Sequence, residues 1–137
     1  MQGNTSVIST QGEHCLLELS QCAVAKLQDL EGIRRALLAA AEAAGSHVLE
    51  VSLHRFTPQG VSGVAVIEES HISVHTWPEC AYAAVDFYTC GSRAVPVKGC
   101  EYLREYFEAK QSSLIRVKRG LPQSDGVFGA EVIQYEG

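Results

Sequence analysis

The sequence predicts an α/β two-layer sandwich, with one antiparallel sheet and two helices packed on one of its faces. Three observations carry that expectation. Four strand-like segments follow one another between residues 46 and 90 with only turn signals between them, a helix-period stretch stands on either side of that run, and a further strand-like segment lies towards each end. Consecutive strands with short connections pair antiparallel, and helices that must each bury one apolar stripe settle on the sheet. At 137 residues the chain suits one domain, spanning 1–137, with one core.

The elements follow in order. After a start rich in small polar residues, "HCLLELS" (14–20) alternates as a first strand. In "QCAVAKLQDLEGIRRALLAAAEAAG" (21–45), Leu27, Leu30, Ile33, Leu37 and Ala41 recur every three or four residues, the stripe of one long helix with Gly45 as its C-terminal cap. "SHVLEVSLHRF", "VSGVAVIEE", "SHISVHTW" and "AYAAVDFYTC" are the four strands, separated by "TPQG", "EES" and "PEC". A second helix over about 96–110 aligns Cys100, Leu103 and Phe107, and "SSLIRVKR" is a last strand. The tail from "GLPQSDG" onward is Gly-rich and expected to be mobile, with "AEVIQY" as an optional edge strand.

Alternation puts Ile72, Val74 and Thr76 on one side of their strand and His71, Ser73, His75 and Trp77 on the other. The next strand has a similar mixed face of Tyr82, Ala84, Asp86, Tyr88 and Cys90. Imidazoles, hydroxyls and an indole do not pack helices well, so this side is expected to be half pocket and half interface, covered by the same sheet of a second copy.

A net charge of −5 and a pI near 5.5, with no basic run, argue against a nucleic-acid partner. The first residues have no charged and apolar leader pattern, and no apolar run approaches the length of a membrane span, which points to the cytoplasm. Five cysteines (Cys15, Cys22, Cys80, Cys90, Cys100) at irregular spacing, without C-x-x-C, are expected to be thiols rather than a disulfide framework or a zinc ribbon.

Three chemistries could use Ser70, which opens a strand inside "EESHISVHTWPE". A zinc site on His71 and His75 fails on geometry, because four residues of strand span about 13 Å, so no metal is expected. A hydrolase built from Ser70 or Cys90 with His75 and Asp86 lacks the strand-to-helix elbow that exposes a nucleophile. The third chemistry acts on the backbone. A serine at a tight turn attacks the carbonyl of the residue before it, here Glu69, and converts amide to ester; elimination then cuts the chain and leaves a pyruvoyl group. Such a carbonyl forms a Schiff base with an amine substrate and serves as an electron sink without metal.

Residues 54–91, "HRFTPQGVSGVAVIEESHISVHTWPECAYAAVDFYTCG", closely resemble the signature region of the short prokaryotic S-adenosylmethionine decarboxylases, pyruvoyl-dependent enzymes of polyamine synthesis. "ESH", "HTWPE", "YAA" and "FYTCG" occur in that family's order and spacing, and weaker similarity extends over about 11–121. The resemblance implies a cut between Glu69 and Ser70, giving chains 1–69 and 70–137, with the pyruvoyl group made from Ser70. It implies that His75 handles the proton during processing, that Ser62 hydrogen-bonds the processing intermediate, and that Cys90 reprotonates the substrate's α-carbon. Phe56 and Trp77 would sandwich the adenine, and Glu79 would accept hydrogen bonds from the ribose. A small-molecule substrate follows from the same likeness, and the open polar face adds the expectation of a homodimer of cleaved protomers or a higher oligomer.

One residue departs from it. The position two before the cleavage serine is commonly small or hydroxylated in the family, whereas here it is Glu68. An acid there leaves arginine or ornithine decarboxylation on the same fold as an alternative, and an uncleaved non-catalytic paralogue as another; the presence of Ser70, His75 and Cys90 speaks against the latter.

Overall fold

The computed structural model describes residues 9–68, 70–91 and 94–137. The chain runs β1 (Gly12–Ser20), α1 (Val24–Gln28), α2 (Leu30–Ala43), β2 (Val48–Arg55), β3 (Val61–Ile67), β4 (Ser70–Trp77), a 3-10 turn (Pro78–Cys80), β5 (Tyr82–Cys90), α3 (Pro96–Tyr106), β6 (Gln111–Ser124) and β7 (Val127–Glu136). All pairings are antiparallel, and the seven-stranded sheet has the order β2-β3-β4-β5-β1-β6-β7. The first strand therefore inserts between β5 and β6, at the centre of the sheet.

The expected two-layer sandwich is found, with two corrections. The long helix over 21–45 is two helices. Asp29 adopts an extended conformation (φ −87°, ψ 91°), and its carboxylate accepts the Gly32 amide at 3.0 Å, so it ends α1 and caps α2. A short acidic side chain satisfying an orphan amide outweighs the continuous apolar stripe. The α2 helix then buries Ile33, Ala36, Leu37, Ala40 and Ala41 and closes at Gly45 (φ 85°), where Ser46 donates back to the Ala41 carbonyl at 2.9 Å.

The second correction concerns the tail. Residues 111–136 form one long hairpin turning at Asp125–Gly126, and the Gly-rich stretch belongs to it rather than to a mobile end. Asp-Gly between two strands is a hairpin signal. Pro122 is tolerated because β1 pairs with β6 only as far as Arg119, leaving that edge of β6 without a ladder to break.

One core lies between sheet and helices. Cys15, Leu17 and Leu19 of β1, Ala65 and Ile67 of β3, Ile72 and Val74 of β4, and Ala83, Val85 and Phe87 of β5 meet the buried stripes of α2 and α3. The closest approach is at Gly99 of α3, where a Cβ would stand 2.2 Å from the Phe87 ring and 2.9 Å from the Ala40 carbonyl. Thr76, also buried, accepts the Val61 amide at 2.8 Å and donates to the Leu27 carbonyl at 2.9 Å, tying α1 to the two strands. No helix among the described residues is long and apolar enough to cross a membrane.

Candidate active site

The opposite face of the sheet carries the polar side chains. Cross-strand register sets them in rows: Ser62 faces His75, His71 faces Tyr88, and Tyr88 faces His14. The expected site residues fall into two groups at opposite ends of these strands.

At one end, the Ser62 hydroxyl lies 2.8 Å from Nδ1 of His75, joining β3 to β4. Hollows of about 350 Å³ and 190 Å³ flank His75, the first lined by Leu53, His54, Ser62 and Ser73, the second by Leu16, Glu18, Ala84 and Asp86. Beyond it, Trp77 stacks on Tyr82 with ring centroids 5.1 Å apart, and the Tyr82 hydroxyl donates to Glu18. Burial first and that carboxylate second push the Tyr82 hydroxyl up to about 12, so it remains a donor. Phe56 follows β2 and packs edge-on against His54 at 4.6 Å. Both Phe56 and Trp77 stay open to solvent, at 47% and 41%, which excludes a core-packing role within this chain and suits aromatics that wait for a flat ligand. Glu79 is exposed on the 3-10 turn directly after Trp77.

At the other end stand Ser70 and Cys90. Ser70 is the first residue of β4 and pairs with Ile67, so the chain reverses between them. Glu69, the expected cleavage partner, lies outside the described residues. Cys90 ends β5, two residues beyond the Tyr88 that faces His71. Glu68 faces His47 at 3.4 Å, both side chains largely exposed. The acid that motivated a cationic substrate thus faces a β2-flanking imidazole.

Between the two ends lies a cluster that sequence reasoning recognised only in part. Asp86 accepts from Nε2 of His14 at 2.5 Å, from Nε2 of His71 at 3.1 Å and from Ser73. Burial raises its carboxyl, but the bonds from His14 and His71 outweigh burial and hold it below the usual range. The His14, His71 and Asp86 donor atoms lie within 4.8 Å of one another, close enough to suggest a metal site. Arg119 weighs against it: its guanidinium lies 3.2 Å from Nδ1 of His14 and can only donate, an arrangement that suits Nε2 donating to Asp86 rather than ligating an ion. Asp86, His71 and Ser73 were legible as a polar strand face. The same alternation in β1, which sets His14, Leu16 and Glu18 opposite Cys15, Leu17 and Leu19, would have added the others.

Of the other cysteines, Cys15, Cys22 and Cys100 are buried and Cys80 is exposed, and all four are free thiols.

Comparison with known proteins now bears on this arrangement. The family model described as S-adenosylmethionine decarboxylase matches residues 13–120. The chain belongs to the S-adenosylmethionine decarboxylase family. Among its relatives, the S-adenosylmethionine decarboxylase proenzyme of Prochlorococcus marinus is 47% identical over 111 residues, covering 81% of this chain and 91% of that one. The proenzyme of Parasynechococcus marenigrum is 43% identical over 126 residues, covering 92% and 98%. A crystal structure of the adenosylmethionine decarboxylase from Aquifex aeolicus superposes with a TM-score of 0.72 at 31% identity, covering 80% of this chain and 90% of that one. The family model stops at Gly120, so the far half of the β6–β7 hairpin is additional to the S-adenosylmethionine decarboxylase core it describes.

Proposed function

We propose that this chain is a self-processing, pyruvoyl-dependent S-adenosylmethionine decarboxylase that makes the aminopropyl donor for spermidine, and that it works in the cytoplasm as a homodimer. The observation that carries the reading is the Ser62–His75 pair, held at 2.8 Å on an open sheet face within a chain of this family. An imidazole hydrogen-bonded to a hydroxyl can take and return a proton near neutral pH.

The serine fits the group it is to become. Ser70 opens β4 where it pairs with the end of β3, and Cys90 ends the neighbouring β5 at the same end of the sheet. A pyruvoyl carbonyl at residue 70 supplies an acceptor for the substrate amine and an electron sink for loss of carbon dioxide. A thiol at Cys90 would supply the proton returned to the α-carbon. Phe56 and Trp77 offer faces for adenine, and Glu79 an acceptor for ribose hydroxyls.

The same geometry supports a dimer. Ser70 and His75 are five residues apart on one straight strand, about 16 Å. His75 therefore cannot serve the Ser70 of its own chain. A second copy laid face to face, related by a two-fold axis running across the strands, sets the Ser62–His75 end of each sheet over the Ser70–Cys90 end of the other, and packed sheets stand about 10 Å apart. The polar face then becomes two equivalent sites.

Intact mass and a carboxylate-labelled substrate test the reading together. Purified protein should appear as two fragments divided between residues 69 and 70, and it should release labelled carbon dioxide from S-adenosylmethionine faster than from arginine or ornithine. A single full-length mass after prolonged incubation, or preference for either amino acid, would overturn it.

A further inference from the structure

Tyr88 and Cys90 stand two residues apart on the open face of β5, and the tyrosine hydroxyl reaches over Gly12, the β1 residue that pairs directly with Cys90. The ring is fixed from three strands. His14 of β1 lies 5.2 Å away, His71 of β4 5.9 Å away, and the guanidinium of Arg119 on β6 sits 4.8 Å over the ring face. Gly12 leaves the room this needs, since a Cβ there would stand 3.1 Å from the hydroxyl. Burial first and the neighbouring Cys90 second raise the Tyr88 hydroxyl, against a smaller opposing effect of Arg119, so the phenol keeps a proton that it can donate. Asp86, bonded to both imidazoles, completes the charged surroundings.

We propose that Tyr88 is a positioning residue of the decarboxylation, acting through Cys90: it fixes the sulfur's orientation and stabilises the thiolate formed as the Cys90 proton passes to the substrate's α-carbon. The S–H bond breaks, the C–H bond forms, and the sulfur keeps the electron pair until it takes a proton from solvent. A hydrogen bond that strengthens as charge develops on its acceptor favours the transition state over the ground state. Arg119 over the ring places a positive charge behind the phenol. The inference rests on Cys90 being the proton donor.

Tyr88→Phe removes one oxygen and keeps the ring. The test compares four proteins, the wild type, Tyr88→Phe, Cys90→Ala and the double variant, for self-cleavage, for kcat and KM on S-adenosylmethionine, and for turnovers completed before inactivation. The expected result is full cleavage in Tyr88→Phe, with kcat about 3- to 10-fold lower. KM should be unchanged, inactivation should come after fewer turnovers, and the tyrosine change should add nothing in the Cys90→Ala background. A purely structural tyrosine would lower activity by the same factor in both backgrounds, and that outcome overturns the proposal. So does wild-type turnover in Tyr88→Phe, or failure of that variant to cleave. Wild-type turnover in Cys90→Ala removes instead the reading of Cys90, and this inference with it.

Discussion

The Ser62 hydroxyl and Nδ1 of His75 meet at 2.8 Å across β3 and β4, at the opposite end of β4 from Ser70. On the proposed reading, a pair so placed acts on the Ser70 of a neighbouring copy. Co-expressed Ser70→Ala and His75→Ala chains should therefore complement each other: each variant alone stays whole, whereas in mixed dimers the His75→Ala chain is cut by its partner's intact pair. Size-tagged chains on a denaturing gel read this directly. Absence of cut His75→Ala chain in purified mixed dimers would mean that processing is internal to each chain.

Cys90→Ala should separate processing from turnover. The cut needs a serine, a carbonyl and proton handling at His75, none of which involves the thiol. Fragments should form at the wild-type extent, while release of carbon dioxide falls by about 10²- to 10⁴-fold, the usual contribution of a placed acid or base. A variant that fails to cleave would reassign the cysteine to processing.

Trp77→Ala should weaken substrate binding and leave cleavage alone. The indole is 41% exposed and rests on Tyr82, so its loss opens no core cavity. Aromatic stacking is worth about 0.5–1.5 kcal/mol, which corresponds to a rise in KM of about 2- to 10-fold. Steady-state kinetics on the fully cleaved variant measure it, and an unchanged KM would remove Trp77 from the binding site.

Stability should decline on the acid side. The Arg116 hydrogen bond to Glu13, against the opposing effect of burial, holds that carboxyl below its usual range, and Asp86 is held down by its imidazoles against the pull of burial. A carboxyl with a lowered folded pKa adds stability that is fully present above its unfolded value, near pH 4, and is lost as pH falls through the folded value. Glu13→Gln should therefore be less stable than wild type at pH 6, with the difference shrinking towards pH 3 in denaturant melts. A difference independent of pH would show that the ionised Glu13–Arg116 pair is not its source.

Gly99→Ala should destabilise the fold without touching the polar face. Its methyl would enter between the Phe87 ring at 2.2 Å and the Ala40 carbonyl at 2.9 Å, forcing α3 away from α2 and the sheet. Overpacking of this kind costs about 1–3 kcal/mol, seen as a lower thermal midpoint with cleavage intact. An unchanged midpoint would mean the helices are less tightly seated than these distances imply.

Much of this was legible in the sequence, and what was missed has physical causes. Strands β2 to β5 were readable because alternation and turn residues agree along the whole run, and the helix stripes because Ile33, Leu37 and Leu103 keep their period. The break at Asp29 was missed because a cap acts through one side chain and leaves the apolar stripe unbroken. The β6–β7 hairpin was underestimated because Gly120, Pro122 and Gly126 look like a loop unless Asp125–Gly126 is taken as a turn. The sequence names the candidate site residues, but not their division between two ends of the sheet. Spacing along a chain says little about who faces whom until the strand is known to be straight and its pairing register is fixed.

The strand order carries a further consequence. A cut after residue 69 assigns β1, β2 and β3 to one piece and β4 to β7 to the other, yet β1 lies between β5 and β6. The two pieces would be interlaced, and neither could leave without tearing a ladder from the interior of the sheet. Severing one peptide bond would scarcely loosen such a weave, but it would change the way back. The intact chain folds as a single molecule, whereas two separated pieces must first find each other at a rate set by their concentration. Self-cutting would thus turn a reversible fold into a ratchet, assembled once and poorly rebuilt after melting in dilute solution.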